Sequence, residues 1–400
     1  VSRSPPAALL AAAVLAACHT SPPAPARGPI ALAPAESLGF DGARLARVAD
    51  YVTSQVDSAY PGAVVAVGRH GRLVLLAAVG HYGMDDPRPV DPTTIYDLAS
   101  LTKVIGLTTA CMQLVDAGSL DLDAPVQRYV PEFRGAGKER VTIRHLLTHA
   151  SGLPAWRPIF REAGDRETAL ALVDTTPLDT LPGERFVYSD LGAILLMQVV
   201  ERLTGERIDR HLARHVFEPL AMTSTRYLPP RSWRGRIAPT EIDTVFRHRQ
   251  IRGEVHDENA GRMGGISGHA GLFSTAPDLA RFATWTLGRV RAEPVGPCTV
   301  PCVSTGTLLE FTRRQGIPPG SARALGWDTP SDSGYSSAGT MLSRRSFGHT
   351  GFTGTSIWMD PDRDVFVVLL TNRVHPTRGN TRILEVRAKV ADLVAEALER

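Results

Sequence analysis

Lysine is almost missing from this 400-residue chain: Lys103, Lys138 and Lys389 stand against 41 arginines. Positive charge is thus carried by a side chain that does not release its proton, so a lysine kept at a site is a candidate for proton transfer. An excess of either sign is lacking too. With 44 Lys+Arg and 41 Asp+Glu the net charge is +3, which leaves no electrostatic footprint for a nucleic acid. Arg231, Arg234, Arg236, Arg247, Arg249 and Arg252 are interleaved with Glu241, Asp243 and Glu254, a pattern that solvates a long connection. No internal stretch is long and apolar enough to span a bilayer. His145 and His149 are four apart but lack the glutamate of H-E-x-x-H, and no G-x-S-x-G occurs. A zinc-protease helix and an α/β-hydrolase elbow are excluded on those grounds.

Cysteine is scarce, with four in the chain. Cys111 sits in an apolar helical pattern and reads as a core residue. Cys298 and Cys302 suit a small disulfide loop outside the cytoplasm; a zinc site there lacks a second cysteine pair. Cys18 closes a different pattern. Arg3 precedes an apolar run over 7–17, of signal-peptide length, ending Leu15-Ala16-Ala17-Cys18. This resembles a lipoprotein signal over 1–18 with Cys18 as the lipidated residue, the alternative being an ordinary secretory signal. A Pro/Ala-rich tether is expected over 19–36 and one folded domain over 37–398. The chain is then an exported, envelope-facing protein whose only membrane contact is a lipid anchor.

Asp41 reads as a helix N-cap, with Phe40 and Leu45 as a hydrophobic staple and a stripe of Leu45, Val48, Val52 and Val56. Apolar runs over 63–67 and 73–79 around His70-Gly71 predict a β-hairpin. Helical patterns fill 101–117, 142–149, 190–203, 207–216 and 277–288, and strands return near 346–349, 355–359 and 365–371. A last helix, about 380–398, repeats Ile383, Val386, Val390, Leu393 and Ala397 and is expected to cover a sheet face. The predicted class is α/β (α+β): one antiparallel sheet built from both chain ends, flanked by the terminal helices, with a mainly helical region inserted over about 101–290.

Ser100 falls at the junction of sheet and insertion. In Asp97-Leu98-Ala99-Ser100-Leu101-Thr102-Lys103 the serine opens a helix that stops at Gly118, and Lys103 follows one turn later on the same face. A nucleophile there meets free N–H groups and the positive helix end. A desolvated lysine facing that end is expected to have its pKa lowered enough to act as a base. Tyr188, in Phe186-Val187-Tyr188-Ser189-Asp190, suits proton transfer beside such a lysine, and Gly348-His349-Thr350-Gly351 at a strand start lets a backbone N–H approach a carbonyl.

S-x-x-K, then Y-S-D, then H-T-G, with Arg144-His145-Leu146-Leu147-Thr148-His149-Ala150-Ser151-Gly152-Leu153-Pro154 between, resembles the penicillin-recognising serine hydrolases: class C β-lactamases, low-molecular-mass penicillin-binding proteins and their esterase and amidase relatives. The resemblance spans about 40–398. It implies Ser100 as nucleophile, Lys103 with Tyr188 as proton relay, and the N–H groups of Ser100 and Phe352 as oxyanion hole. Asp190, His349, Thr350 and Gly351 would contact substrate. Asp190 stands where asparagine is usual and His349 where lysine is usual, which disfavours efficient antibiotic hydrolysis. Gly253-Glu254-Val255-His256-Asp257-Glu258-Asn259-Ala260, followed by Gly264-Gly265-Ile266-Ser267-Gly268-His269-Ala270-Gly271, is similar to a subgroup of carboxypeptidases like penicillin-binding protein 4B and exo-acting muramyl-alanine amidases. His256 and His269 are candidates for lining a pocket there, or for ordering a glycine-rich loop.

The expectation is a cofactor- and metal-free monomer that forms an acyl-enzyme on a small-molecule or muropeptide substrate and cleaves a D-Ala-D-Ala peptide or muramyl-alanine amide. Alternatives are a β-lactamase or carboxylesterase of the same fold, or a lipid-tethered muropeptide-binding protein without chemistry.

Overall fold

Alternation along one strand sets the architecture. In β1 (Gly62–Arg69) Ala63, Val65 and Val67 belong to one buried cluster and Val64 and Ala66 to another, so both faces of the sheet are covered. In the computed structural model, which describes residues 30–291 and 301–399, β1 is the second half of a meeting between the two chain ends. It turns through His70 and Gly71, both at positive φ, into β2 (Arg72–Gly83), the backbone signature of a tight hairpin. β3 (Asp86–Pro89) follows at the edge. From the other end come β4 (Phe347–Thr350), β5 (Ser356–Asp360) and β6 (Val365–Thr371). β6 pairs antiparallel with β1 from Ala63 opposite Thr371 to Arg69 opposite Val365. The order is β3-β2-β1-β6-β5-β4, antiparallel throughout.

One face carries Ala63, Val65, Val67, Val365, Val367 and Leu369. The first helix, Gly42–Ser54, packs there through Leu45, Val48 and Val52, and the last helix, Ile383–Ala397, through Val386, Val390 and Leu393. Asp41 caps the first helix, accepting from Arg44 N at 2.9 Å. Each fully buried Val or Leu contributes about 1.5–3 kcal/mol. The opposite face, with Val64, Ala66, Phe366, Val368 and Leu370, meets the helical region, notably Leu279, Ala283 and Leu287 of the helix Ala276–Arg291.

The predicted elements are present with ends shifted by a few residues, and the sheet is built from both chain ends as expected. β3 went unpredicted because it contains Pro87 and Pro89, which only an edge tolerates. The helices Arg166–Thr175 and Thr305–Thr312 were also missed, as was a small sheet of Tyr96–Asp97, Leu272–Ser274 and Arg226–Tyr227. The signal segment, Cys18 and Cys298 lie outside the described residues. Of the expected tether only 30–36 is described, and there Ala33 N donates to Leu73 O at 2.8 Å, so the chain has joined the fold by that point. Cys302 is disulfide-bonded and Cys111 is free and buried. Among the described residues no helix is long and apolar enough to cross a membrane.

Candidate active site

Asp97 fixes the turn that presents Ser100. Its carboxylate accepts from Ala99 N at 2.8 Å and from His256 N at 2.6 Å, which joins the turn to the loop around His256. Ala99 is held at φ 46°, a region costly for a residue with a Cβ and often found where a catalytic side chain must be aimed. The helix then starts with a π-helical segment, Lys103–Thr108, before regular α-helix over Thr109–Asp116. From the sheet side, Thr353 Oγ1 donates to Asp97 O at 2.7 Å and Thr355 Oγ1 to Leu98 O at 3.0 Å. Gly351 is required at this seam, because a Cβ there would lie 2.3 Å from Leu98 O and 2.1 Å from Thr355 Oγ1.

Lys103 is 3% exposed, and its Nζ donates to Ser100 Oγ at 3.0 Å and to His269 O at 3.1 Å. Asp190 Oδ1 stands 2.7 Å from the same nitrogen, an ion pair that is not aligned as a hydrogen bond. Here the expectation of a lowered lysine pKa is overturned. Burial does push Lys103 down, but the charge of Asp190 and then Tyr188 outweigh it and raise it to about 12. Lys103 is an ammonium at neutral pH. The expectation considered burial and the helix end but not a carboxylate brought in from position 190.

The Tyr188 ring lies 4.9 Å from Lys103 Nζ and 4.5 Å from the His149 ring, with His349 at 5.8 Å on another side. Its buried hydroxyl is close enough to favour the ammonium, yet has no partner in hydrogen-bond geometry. His149 Nδ1 accepts from Ser189 N at 3.1 Å, which sets the tyrosine-bearing loop. Burial, then Arg323, Lys103 and His349, push the His149 pKa well below its ordinary value. His349 is likewise lowered to about 4, by burial first and by Arg323 and Lys103, against Asp328. Its Nδ1–H donates to Thr350 O at 2.7 Å, leaving Nε2 buried and unpartnered.

Ser100, Tyr188, His349, Thr350, Gly351 and Phe352 line one cleft of about 540 Å³ together with Arg323, Asp328, Arg373 and Arg387. It runs into a second space of about 550 Å³ across Phe186, Arg323, Asp328 and Arg387. A larger groove, about 880 Å³, lies between the first and last helices around Arg44, Arg47 and Glu396, and offers no nucleophile beside a base. Neither Ser100 N–H nor Phe352 N–H donates to a protein acceptor among the described residues, while Ala99, Leu101, Thr102, Lys103 and Gly351 all do. Two N–H groups of residues lining this cleft are therefore free.

His256 and His269 are not among the residues that line this cleft. They are buried behind it. His256 stacks under Phe352 at 5.6 Å and binds Glu241 at 3.0 Å, and His269 joins Asp257 at 2.8 Å and Ser267 at 2.7 Å. Asp257 is disfavoured as an anion by burial, but the charge and hydrogen bond of His269 outweigh this and hold its carboxyl well below the usual range. Sequence reasoning missed His149, Asp257, Arg323, Arg373 and Arg387 as site residues. The neighbours of His149 and Asp257 were noticed; the arginines carried no signal in a chain rich in arginine.

A serine hydroxyl on a buried ammonium–carboxylate pair, with two free N–H groups in the same cleft, defines a serine hydrolase of the acyl-enzyme class. A family model for beta-lactamase matches residues 48–392, and the chain belongs to that family. It is 31% identical over 387 residues to a Salmonella agona protein named "Putative D-alanyl-D-alanine carboxypeptidase", covering 87% of each chain. In fold it is similar to a penicillin-binding protein homologue from Caulobacter crescentus, with a TM-score of 0.70, 20% identity and coverage of 90% of this chain and 99% of that one. A class C beta-lactamase from Rhodobacter sphaeroides gives a TM-score of 0.65, 20% identity and coverage of 88% and 99%.

Proposed function

We propose that this protein is an envelope serine hydrolase that forms an acyl-enzyme on Ser100 and cleaves an amide in peptidoglycan-derived peptides. The observation that carries the reading is Lys103 Nζ, 3.0 Å from Ser100 Oγ and 2.7 Å from Asp190 in a buried setting. As Ser100 attacks the carbonyl carbon, its O–H proton passes to Lys103 while Lys103 passes one of its own to Asp190. The new C–O bond forms as the carbonyl electrons move to oxygen, which the N–H groups of Ser100 and Phe352 stabilise. Collapse breaks the C–N bond, and the leaving amine takes a proton that Lys103 returns through Tyr188 while Asp190 gives its own back to Lys103, which restores the ammonium–carboxylate pair. Water then repeats the sequence on the ester and frees Ser100. Asp190 in place of asparagine suits this, because only a carboxylate can receive that proton.

The cleft also supports an anionic leaving group. With His349 neutral, positive charge comes from Arg373 and Arg387, both buried lining residues without a carboxylate partner among the described residues. Arg387 Nε has no acceptor, while its Nη2 holds Gly351 O at 2.6 Å and Thr355 O at 2.9 Å. A peptide ending in a free carboxylate should be turned over about 10–100-fold more efficiently than its carboxamide, the worth of one charged hydrogen bond. Equal kcat/KM for the two would remove the carboxylate from the reading. Mass spectrometry of digested muropeptides separates the outcomes: loss of a terminal alanine supports a carboxypeptidase, release of a free muramic sugar supports an amidase, and no change contradicts both. The lipid anchor at Cys18 belongs to the same proposal, and globomycin-sensitive maturation of the exported chain would test it.

A further inference from the structure

Glu206, His211 and His215 lie outside the cleft. Gly205, at φ 67°, ends the helix Asp190–Thr204 and turns the chain back. Glu206 follows, and the two histidines sit four residues apart on the next helical segments, Ile208–Leu212 and Ala213–Phe217. Their rings are 4.7 Å apart. Glu206 Oε2 is 3.9 Å from His211 Nδ1 and 4.0 Å from His215 Nε2, too far for hydrogen bonds. That oxygen is buried and has no hydrogen-bond partner. Arg214 holds the other carboxylate oxygen at 2.6 Å, which aims Oε2 at the imidazoles.

We propose that Glu206, His211 and His215 form a binding site for a borderline divalent cation such as Zn²⁺, with water completing the coordination. One ligand atom from each residue falls within 4.8 Å of the others. Bonds of about 2.0–2.2 Å to two nitrogens and one oxygen need only a small rotamer closure from that spacing. The orphaned carboxylate oxygen then gains a partner, and Arg214 becomes the group that orients a ligand. The other grouping of this kind among the described residues, Asp190, Asp257 and His269, is already served by the Lys103 ammonium, 2.7 Å from Asp190. Binding at Glu206 would tie the turn after one helix to the next. His215 O accepts from Gln113 at 3.1 Å, on the helix that Ser100 opens, so the cation would stiffen the support of that helix without entering the cleft.

The test is calorimetric titration of the chelator-stripped full chain with ZnCl₂. One saturable site is expected with Kd of about 10 μM or tighter, and a thermal midpoint that rises with free Zn²⁺. His215→Ala and Glu206→Gln change partly exposed side chains and should stay folded by circular dichroism. Each should weaken binding by about tenfold or more. Co²⁺ in place of Zn²⁺ should give visible d–d bands in the parent chain and lose them in His215→Ala. No saturable binding below about 100 μM, or binding to both variants within twofold of the parent, would overturn the site.

Discussion

Lys103 could not be replaced by the arginine that this chain uses nearly everywhere else. The proposed relay requires handing on a proton, and guanidinium keeps its proton and presents a wider fork. Lys103→Arg should therefore stay folded and lose acylation by about 10²–10⁴, read from the rate of label incorporation. A residual rate above roughly a tenth would contradict the relay. Asp190→Asn asks a finer question. Without that carboxylate burial dominates, the Lys103 pKa falls from about 12, and acylation should climb with pH as the lysine deprotonates, where the parent is flat. An unchanged pH profile would remove Asp190 from the proton path. Ser100, Lys103 and Tyr188 were legible because their spacing lies within short motifs. The ionisation of Lys103 was not, since it depends on a residue 87 positions away, and Arg387 looked like any surface arginine on the last helix.

The turn before Ser100 and the loop after β4 meet at Gly351, and this element-level seam positions the site. Gly351→Ala must displace Leu98 O or Thr355 Oγ1. Overpacking of this kind costs about 1–3 kcal/mol, to be read by urea unfolding, and acylation should fall further than stability because the free N–H groups move. Long periodic elements were readable: the hairpin, β6 and both terminal helices came from apolar alternation or a 3.6-residue stripe. The strand pair Tyr96–Asp97 and Leu272–Ser274 was not, being two or three residues of pairing set by where Asp97 anchors the His256 loop. Arg166–Thr175 escaped because its packed apolar residues, Ala169, Leu170, Leu172 and Val173, cover little more than one turn of a ten-residue helix.

At the scale of the whole molecule, the two chain ends share one sheet and one layer of terminal helices, so loosening the last helix should unfold the protein as a unit. Leu393→Ala should cost about 2–5 kcal/mol of unfolding free energy, read by urea titration. The buried histidines add a pH dependence. His349 has its folded pKa lowered to about 4, so its stabilisation is fully present above the ordinary value near 6.5 and is lost as pH falls toward 4. One such group is worth on the order of 3 kcal/mol. His149 acts in the same sense, and Glu241, lowered to about 2 by His256 and Arg378 against burial, extends the loss below pH 4.5. Urea midpoints at pH 7, 5.5 and 4 should fall in that order. The fold class and the meeting of sheet and insertion at Ser100 were readable because they rest on which segments are apolar; the lining of the cleft was not, because it also draws on Arg323 and Asp328 beyond the insertion and on Arg373 and Arg387 near the C-terminal end. The most direct test of the account is intact-protein mass spectrometry after exposure to a penicillin and, separately, a fluorophosphonate. The account predicts a gain of one whole penicillin, or of one fluorophosphonate less HF, mapped to the peptide containing Ser100 and absent from Ser100→Ala. No adduct with either reagent, or equal labelling of Ser100→Ala, would contradict it.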